Sequence, residues 1–136
     1  MSNKRILVAD DEPHILNVVS FKLRNAGLEV ITARNGQEAL ELAKSERPDL
    51  VIVDYQMPVL DGLEACIRLR EEPATASIPV IMLTARGIDI EQVELERAGI
   101  NSLMAKPFSP REVLARVQEL LSLNQECAEQ LPAEKV

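Results

Sequence analysis

Short apolar runs of strand length alternate with amphipathic stretches of helical length along the chain, and this alternation leaves few folds open. The runs fall at residues 6–9, 28–32, 50–53, 78–83 and 102–105. Several have no polar residue at alternate positions, as in a strand covered on both faces of its sheet. Residues 14–25 carry Ile15, Val18, Val19 and Leu23 at helical spacing, and Gly27 follows as a stop. Residues 35–44 space Ala39, Leu40 and Ala43 in the same way behind Asn35 as N-cap. Asp61 caps a pattern over 61–71 that contains Leu63, Ile67 and Leu69, with Pro73 beyond it. A fourth pattern, 90–98, ends at Gly99, which suits a left-handed C-terminal position. The fifth, 109–121, opens Ser109-Pro110-Arg111-Glu112, a capping box with proline at the first helical position. Five βα units joined by short linkers and right-handed crossovers predict an α/β domain, a doubly wound parallel sheet with helices on both faces.

The chain has 136 residues, enough for one domain with a real core. Residues 1–121 hold all the periodic segments, and 122–136 read as a polar tail containing Pro132, frayed helix or disordered. The net charge of −7 argues against nucleic acid and anionic membrane surfaces as partners, since both require Lys and Arg. Hydrophobic content of 46% with 27% charged residues is that of a globular domain. Cys66 and Cys127 form no metal or disulfide pattern. No apolar run approaches the roughly 18 residues that cross a membrane, and the first residues do not read as a signal peptide. The expected location is the cytoplasm.

Ligands of an open α/β sheet bind beyond the carboxyl ends of its strands. Here those ends carry Asp10-Asp11-Glu12, Asp54, Thr84-Ala85 and Lys106-Pro107, while Thr32-Ala33 offers nothing reactive. Converging aspartates repel unless a cation neutralises them or some stay protonated. Carboxylates without Cys or His suit Mg²⁺, with Mn²⁺ the other candidate, better than zinc. A carboxylate nucleophile, such a metal and a lysine are what acyl-phosphate formation needs, with Asp54 attacking phosphorus and Lys106 neutralising the equatorial oxygens.

In these motifs the chain resembles the receiver domain of bacterial response regulators, of the single-domain, chemotaxis-regulator-like kind. The residues that carry the resemblance are Ile-Leu-Val-Ala-Asp10-Asp11-Glu12, Val-Ile-Val-Asp54-Tyr-Gln-Met-Pro58, Asp61-Gly62, Ile-Met-Leu-Thr84-Ala85 and Lys106-Pro107-Phe108, spread over residues 4–121. The resemblance implies a flavodoxin-like (βα)5 fold with strand order 2-1-3-4-5. It implies a phosphoacceptor protein whose Asp54 takes its phosphoryl group from a sensor histidine kinase or a histidine phosphotransfer protein and then regulates an unknown partner. Asp11, Asp54 and the backbone carbonyl of Gln56 would hold Mg²⁺, with Asp10 acting through water. Thr84 and Lys106 would contact the phosphoryl group, and the Lys106–Pro107 peptide would be cis. Gln56, Ala85 and Arg86 would tune the lifetime of the phosphorylated state. Such a protein catalyses only its own phosphorylation and slow hydrolysis, so it is not an enzyme in the usual sense.

Two departures bear on output. The residue three before the lysine, an aromatic switch in much of the family, is Leu103, and the acidic pair of many DNA-binding relatives is replaced by Asn101 and Ser102. With Thr84 as the other half of the switch, these changes point to weaker two-state coupling and to a monomer or weak dimer. Other functions fare worse. A flavin carrier needs a phosphate loop where Asp10-Asp11-Glu12 would repel it. An aspartyl phosphohydrolase carries a second Asp two residues after the nucleophile, where Gln56 stands. A receiver cut from a longer DNA-binding regulator is the alternative reading. His14, the single histidine, has no nucleophile nearby in sequence.

Overall fold

The computed structural model describes residues 4–85, 89–106 and 108–130. The chain runs β1 (Arg5–Ala9), α1 (Pro13–Asn25), β2 (Glu29–Ala33), α2 (Gly36–Glu46), β3 (Leu50–Asp54), α3 (Gly62–Glu71), β4 (Val80–Thr84), α4 (Gln92–Ala98), β5 (Ser102–Ala105) and α5 (Pro110–Gln130). The strands form one parallel sheet in the order β2-β1-β3-β4-β5. Fold and strand order are therefore those expected.

The sheet is apolar on both faces because successive side chains of a strand point to opposite sides. Ile6 and Val8 of β1, Leu50 and Ile52 of β3, and Ile81 and Leu83 of β4 face Leu16, Val19 and Leu23 of α1 and Val113 and Val117 of α5. Their neighbours Leu7, Ala9, Val51, Val53, Val80 and Met82 face Ala39, Leu40 and Ala43 of α2, Cys66, Ile67 and Leu69 of α3, and Ala98 at the end of α4. Each fully buried Leu or Ile contributes about 2 kcal/mol relative to exposure, so the three central strands supply much of the driving force. Asn35 and Asp61 cap as expected, accepting from the N–H of Glu38 and Glu64 at 2.8 Å each. The capping box forms in both directions at 3.1 Å: Glu112 N–H to Ser109 Oγ, and Ser109 N–H to Glu112 Oε1.

Several boundaries move for local reasons. Leu28 is not the first residue of β2; its N–H closes α1 onto the carbonyl of Leu23, with Gly27 at φ 91° making the turn. Ile78 precedes β4, its N–H turned back to Thr75, and Pro79 has no N–H to offer a ladder. α4 begins at Gln92, two residues later than its apolar pattern, with Glu91 at its N-cap. α5 does not stop at 121 but continues to Gln130. Nothing between 122 and 130 breaks a helix, and the first residue that does is Pro132. The buried stripe of α1 is Leu16, Val19, Ser20 and Leu23, with Ile15 and Val18 at its margin.

Ser20 is 3% exposed and its hydroxyl has no hydrogen-bond partner among the described residues. A buried unpaired hydroxyl costs free energy, and alanine is the better helix former. Ser20→Ala is expected to raise stability by about 1 kcal/mol in urea unfolding; a lower midpoint would mean that the hydroxyl contributes.

Candidate functional site

The register of the sheet assembles the site. Ala9 pairs with Val53, so Asp10 and Asp54 leave adjacent strands side by side. Asp54 pairs with Leu83, which brings Thr84 next to it. Thr84 pairs with Ala105, and Lys106 follows, its N–H donated to the Thr84 carbonyl at 2.6 Å. The crevice between β1 and β3 is also where the chain reverses its winding, with α1 on one face of the sheet and α2 and α3 on the other.

Asp10 is fully buried, Asp54 is 6% exposed and Thr84 is buried, whereas Asp11 lies at the surface. One carboxylate oxygen from each of Asp10, Asp11 and Asp54 lies within 4.8 Å of the others. The Lys106 ammonium reaches Asp10 Oδ2 at 3.2 Å, Glu12 Oε1 at 3.1 Å and Asp54 Oδ1 at 3.5 Å. Asp10 also accepts the Glu12 N–H at 2.9 Å. Burial foremost, then the charge of Asp10, push the Asp54 carboxyl up to about 6 against the pull of Lys106. Burial likewise raises Asp10, opposed by the Glu12 N–H and Lys106. Burial alone would lower Lys106, but Asp10 and Asp54 hold it above its ordinary value. One ammonium therefore does not neutralise the cluster. Two buried acids kept above their normal range, with an all-oxygen donor set, fit a hard divalent cation.

The loop after β3 is drawn tightly over the site. Gly62 donates its N–H to the Tyr55 carbonyl at 2.9 Å, and a Cβ there would collide with the Asp54 carbonyl. Gly62 thus permits a close approach of the loop to the site. Gly36 meets the same loop at the Leu60 carbonyl, a contact that the sequence pattern did not signal. Met57 is buried in the core, while Val59 is 78% exposed and held at φ 71°, a conformation that a β-branched residue rarely adopts.

Other anticipated residues lie farther out. Gln56 and Ala85 are exposed beside the site. Leu103 is 45% exposed on β5, between the flanks of α4 and α5 rather than enclosed beneath α4. Asn101 accepts the Val80 N–H at 2.8 Å, and Ser102 Oγ accepts from Arg116 at 2.6 Å, so both serve contacts within the chain. Arg86, Pro107 with its peptide bond, and residues 131–136 lie outside the described residues. Cys66 is buried in the core and burial pushes its thiol up to about 12, which makes it inert. His14 is exposed on α1. Glu12 was the omission: the acidic run was read as a metal pair, and its reach to a lysine 94 residues away leaves no mark in the sequence.

A family model described as the response regulator receiver domain matches residues 6–118. The alkaline phosphatase synthesis transcriptional regulatory protein PhoP of Bacillus subtilis is 44% identical over 119 residues, 88% of this chain and 49% of PhoP. The DNA-binding dual master transcriptional regulator RpaA of Synechocystis is 42% identical over 117 residues, 86% of this chain and 48% of RpaA. The chain spans about half the length of these curated relatives. Among solved structures, the chemotaxis response regulator CheY4 of Vibrio cholerae superposes with a TM-score of 0.81 at 34% identity, covering 88% of this chain and 99% of that one. The receiver domain of the sensor histidine kinase PA1611 of Pseudomonas aeruginosa, which has a magnesium ion in its active-site cleft, gives 0.80 at 30% identity and covers 89% and 99%. No helix among the described residues is long and apolar enough to cross a membrane. With its strands in the order 2-1-3-4-5 and its acidic cluster facing a lysine, the chain belongs to the receiver domains of two-component response regulators.

Proposed function

We propose that this receiver is a phosphoacceptor and that Asp54 takes the phosphoryl group, from a phosphohistidine of a sensor kinase or phosphotransfer protein. The observation that carries the reading is the buried Asp54 carboxylate, pushed up to about 6, between two other aspartates and Lys106. An Asp54 oxygen forms a bond to phosphorus as the bond from phosphorus to the donor nitrogen breaks. The imidazole leaves with the electron pair and takes a proton from water. Lys106 is placed to neutralise a phosphoryl oxygen, and the Thr84 hydroxyl to donate to another. Asp10, Asp11, Asp54 and the Gln56 carbonyl would hold Mg²⁺, which when bound offsets the charge gathering on the phosphoryl oxygens. The protein catalyses only this transfer and the slow hydrolysis of its own acyl phosphate, tuned by Gln56, Ala85 and Arg86. Movement of Thr84 toward the new charge, with repacking around Leu103, then alters the face made by α4, β5 and α5 for a protein partner.

Incubation with acetyl phosphate and Mg²⁺ should add one phosphoryl mass to the wild type. Asp54→Asn and chelator should each reduce labelling at least about a hundredfold, the scale of losing a nucleophile. Equal labelling of the Asn variant would overturn the assignment. Identity with PhoP and RpaA favours a second reading, in which this receiver is the regulatory part of a longer DNA-binding protein. In that case, fusion to such a domain should make operator binding depend on Asp54.

A further inference from the structure

The Lys106 ammonium donates to Asp10 at 3.2 Å and to Glu12 at 3.1 Å, and is ion-paired with Asp54 at 3.5 Å. A phosphoryl oxygen arriving on Asp54 competes with these carboxylates for the ammonium. The three differ in how easily they are released. Asp10 is fully buried and fixed by the Glu12 N–H at 2.9 Å, so losing Lys106 would leave a charge uncompensated in the interior. Asp54 is itself buried and is the group being phosphorylated. The Glu12 side chain is 59% exposed, and water replaces its partner at little cost.

Local helix chemistry does not explain the Glu12 side chain. Glu12 occupies the N-cap of α1, where short side chains serve best, and makes no capping hydrogen bond. Its backbone is committed to Asp10, while its carboxylate crosses to the end of β5.

We propose that Glu12 is a positioning residue that restrains phosphoryl transfer: it holds the Lys106 ammonium at the rim of the resting site and is the partner that Lys106 exchanges for the phosphoryl oxygen. This rests on Asp54 being the acceptor. The resting contact stabilises the unphosphorylated state alone, so it opposes transfer. Its removal favours transfer by the amount that an exposed ion pair is worth, about three- to fivefold in rate.

Label wild type, Glu12→Gln and Glu12→Asp with acetyl phosphate at saturating Mg²⁺, and record the NMR signal of the Lys106 ammonium before and after adding beryllofluoride. Aspartate keeps the charge but is one methylene too short to reach Lys106. Both variants should label about three- to fivefold faster, with shifted Lys106 signals at rest that converge with the wild type once beryllofluoride binds. A faster Gln variant beside a wild-type-like Asp variant would mean simple repulsion of the anionic donor and would overturn the proposal. Equal rates and unchanged Lys106 signals in all three would also overturn it, leaving Asp54 as acceptor. A wild type that takes no label would remove the phosphoacceptor reading and this one together.

Discussion

Replacing Asp54 should make the metal-free protein more stable. Asp54 titrates at about 6 in the fold against 3.8 as its ordinary value, so between those values the folded state binds more proton than the unfolded one. Stability then falls as pH rises through this window and stays low above about 6, where the buried carboxylate is ionised. The two-unit gap is worth up to about 3 kcal/mol. Asparagine has nearly the same shape and no charge, and Lys106 keeps Asp10 and Glu12 at 3.2 and 3.1 Å. In chelator at pH 7.5, Asp54→Asn is expected to gain up to about 3 kcal/mol in urea unfolding, a gain that shrinks toward zero near pH 4. Millimolar Mg²⁺ should restore much of the difference to the wild type alone. A variant less stable than wild type at pH 7.5 would contradict the view that Asp54 is held at a cost.

Alanine is ordinarily welcome in the first turn of a helix, yet Gly62→Ala should be among the most damaging single changes. The new methyl would press on the Asp54 backbone carbonyl, which belongs to a central strand and cannot yield as a surface side chain would. The expected loss is about 3 kcal/mol, the range of overpacking against fixed backbone. Because the clash lies on Asp54, the proposed acceptor, labelling of the folded fraction should slow at least about tenfold, as expected when a reacting group is misplaced. A variant matching the wild type in midpoint and labelling would show that the loop has slack there.

What could be read from the sequence is what depends on local pattern. The non-alternating runs of β1, β3 and β4 announce a sheet covered on both faces, and that alone places Asp10, Asp54 and Lys106 at one rim. Asn35, Asp61 and the Ser109–Glu112 pair speak for themselves because a cap acts over three residues. What stayed hidden depends on approach between distant segments. Glu12 reaches Lys106 across the sheet, and Gly36 makes room for Leu60 of a different loop. Thr75, fully buried, spends its hydroxyl on the Leu69 carbonyl at 2.7 Å, yet reads as an ordinary loop threonine. The end of α5 is only half legible, frayed helix or disorder, for the opposite reason: the apolar stripe fades after 121, but helix-forming residues carry the backbone to Gln130.

Arg70 of α3 donates to the carbonyls of Ala98 and Gly99 at 3.0 and 2.8 Å and to that of Ala76 at 2.7 Å. Gly99, at φ 65°, leaves just enough room for the guanidinium. The far end of α4 is thus bolted to α3 and to the turn before β4. Its near end, toward Thr84, starts at Glu91 without a side-chain cap. Seven residues make a rod of roughly 10 Å, too short to bend. Arg70 thus holds the last turn of α4 by hydrogen bonds, while beside its first turn Ile90 packs against the core. With its last turn tied to Arg70 and no side-chain cap at its first, α4 would yield more readily at the first turn, so a partner that senses the site through α4 has most to gain by gripping that turn.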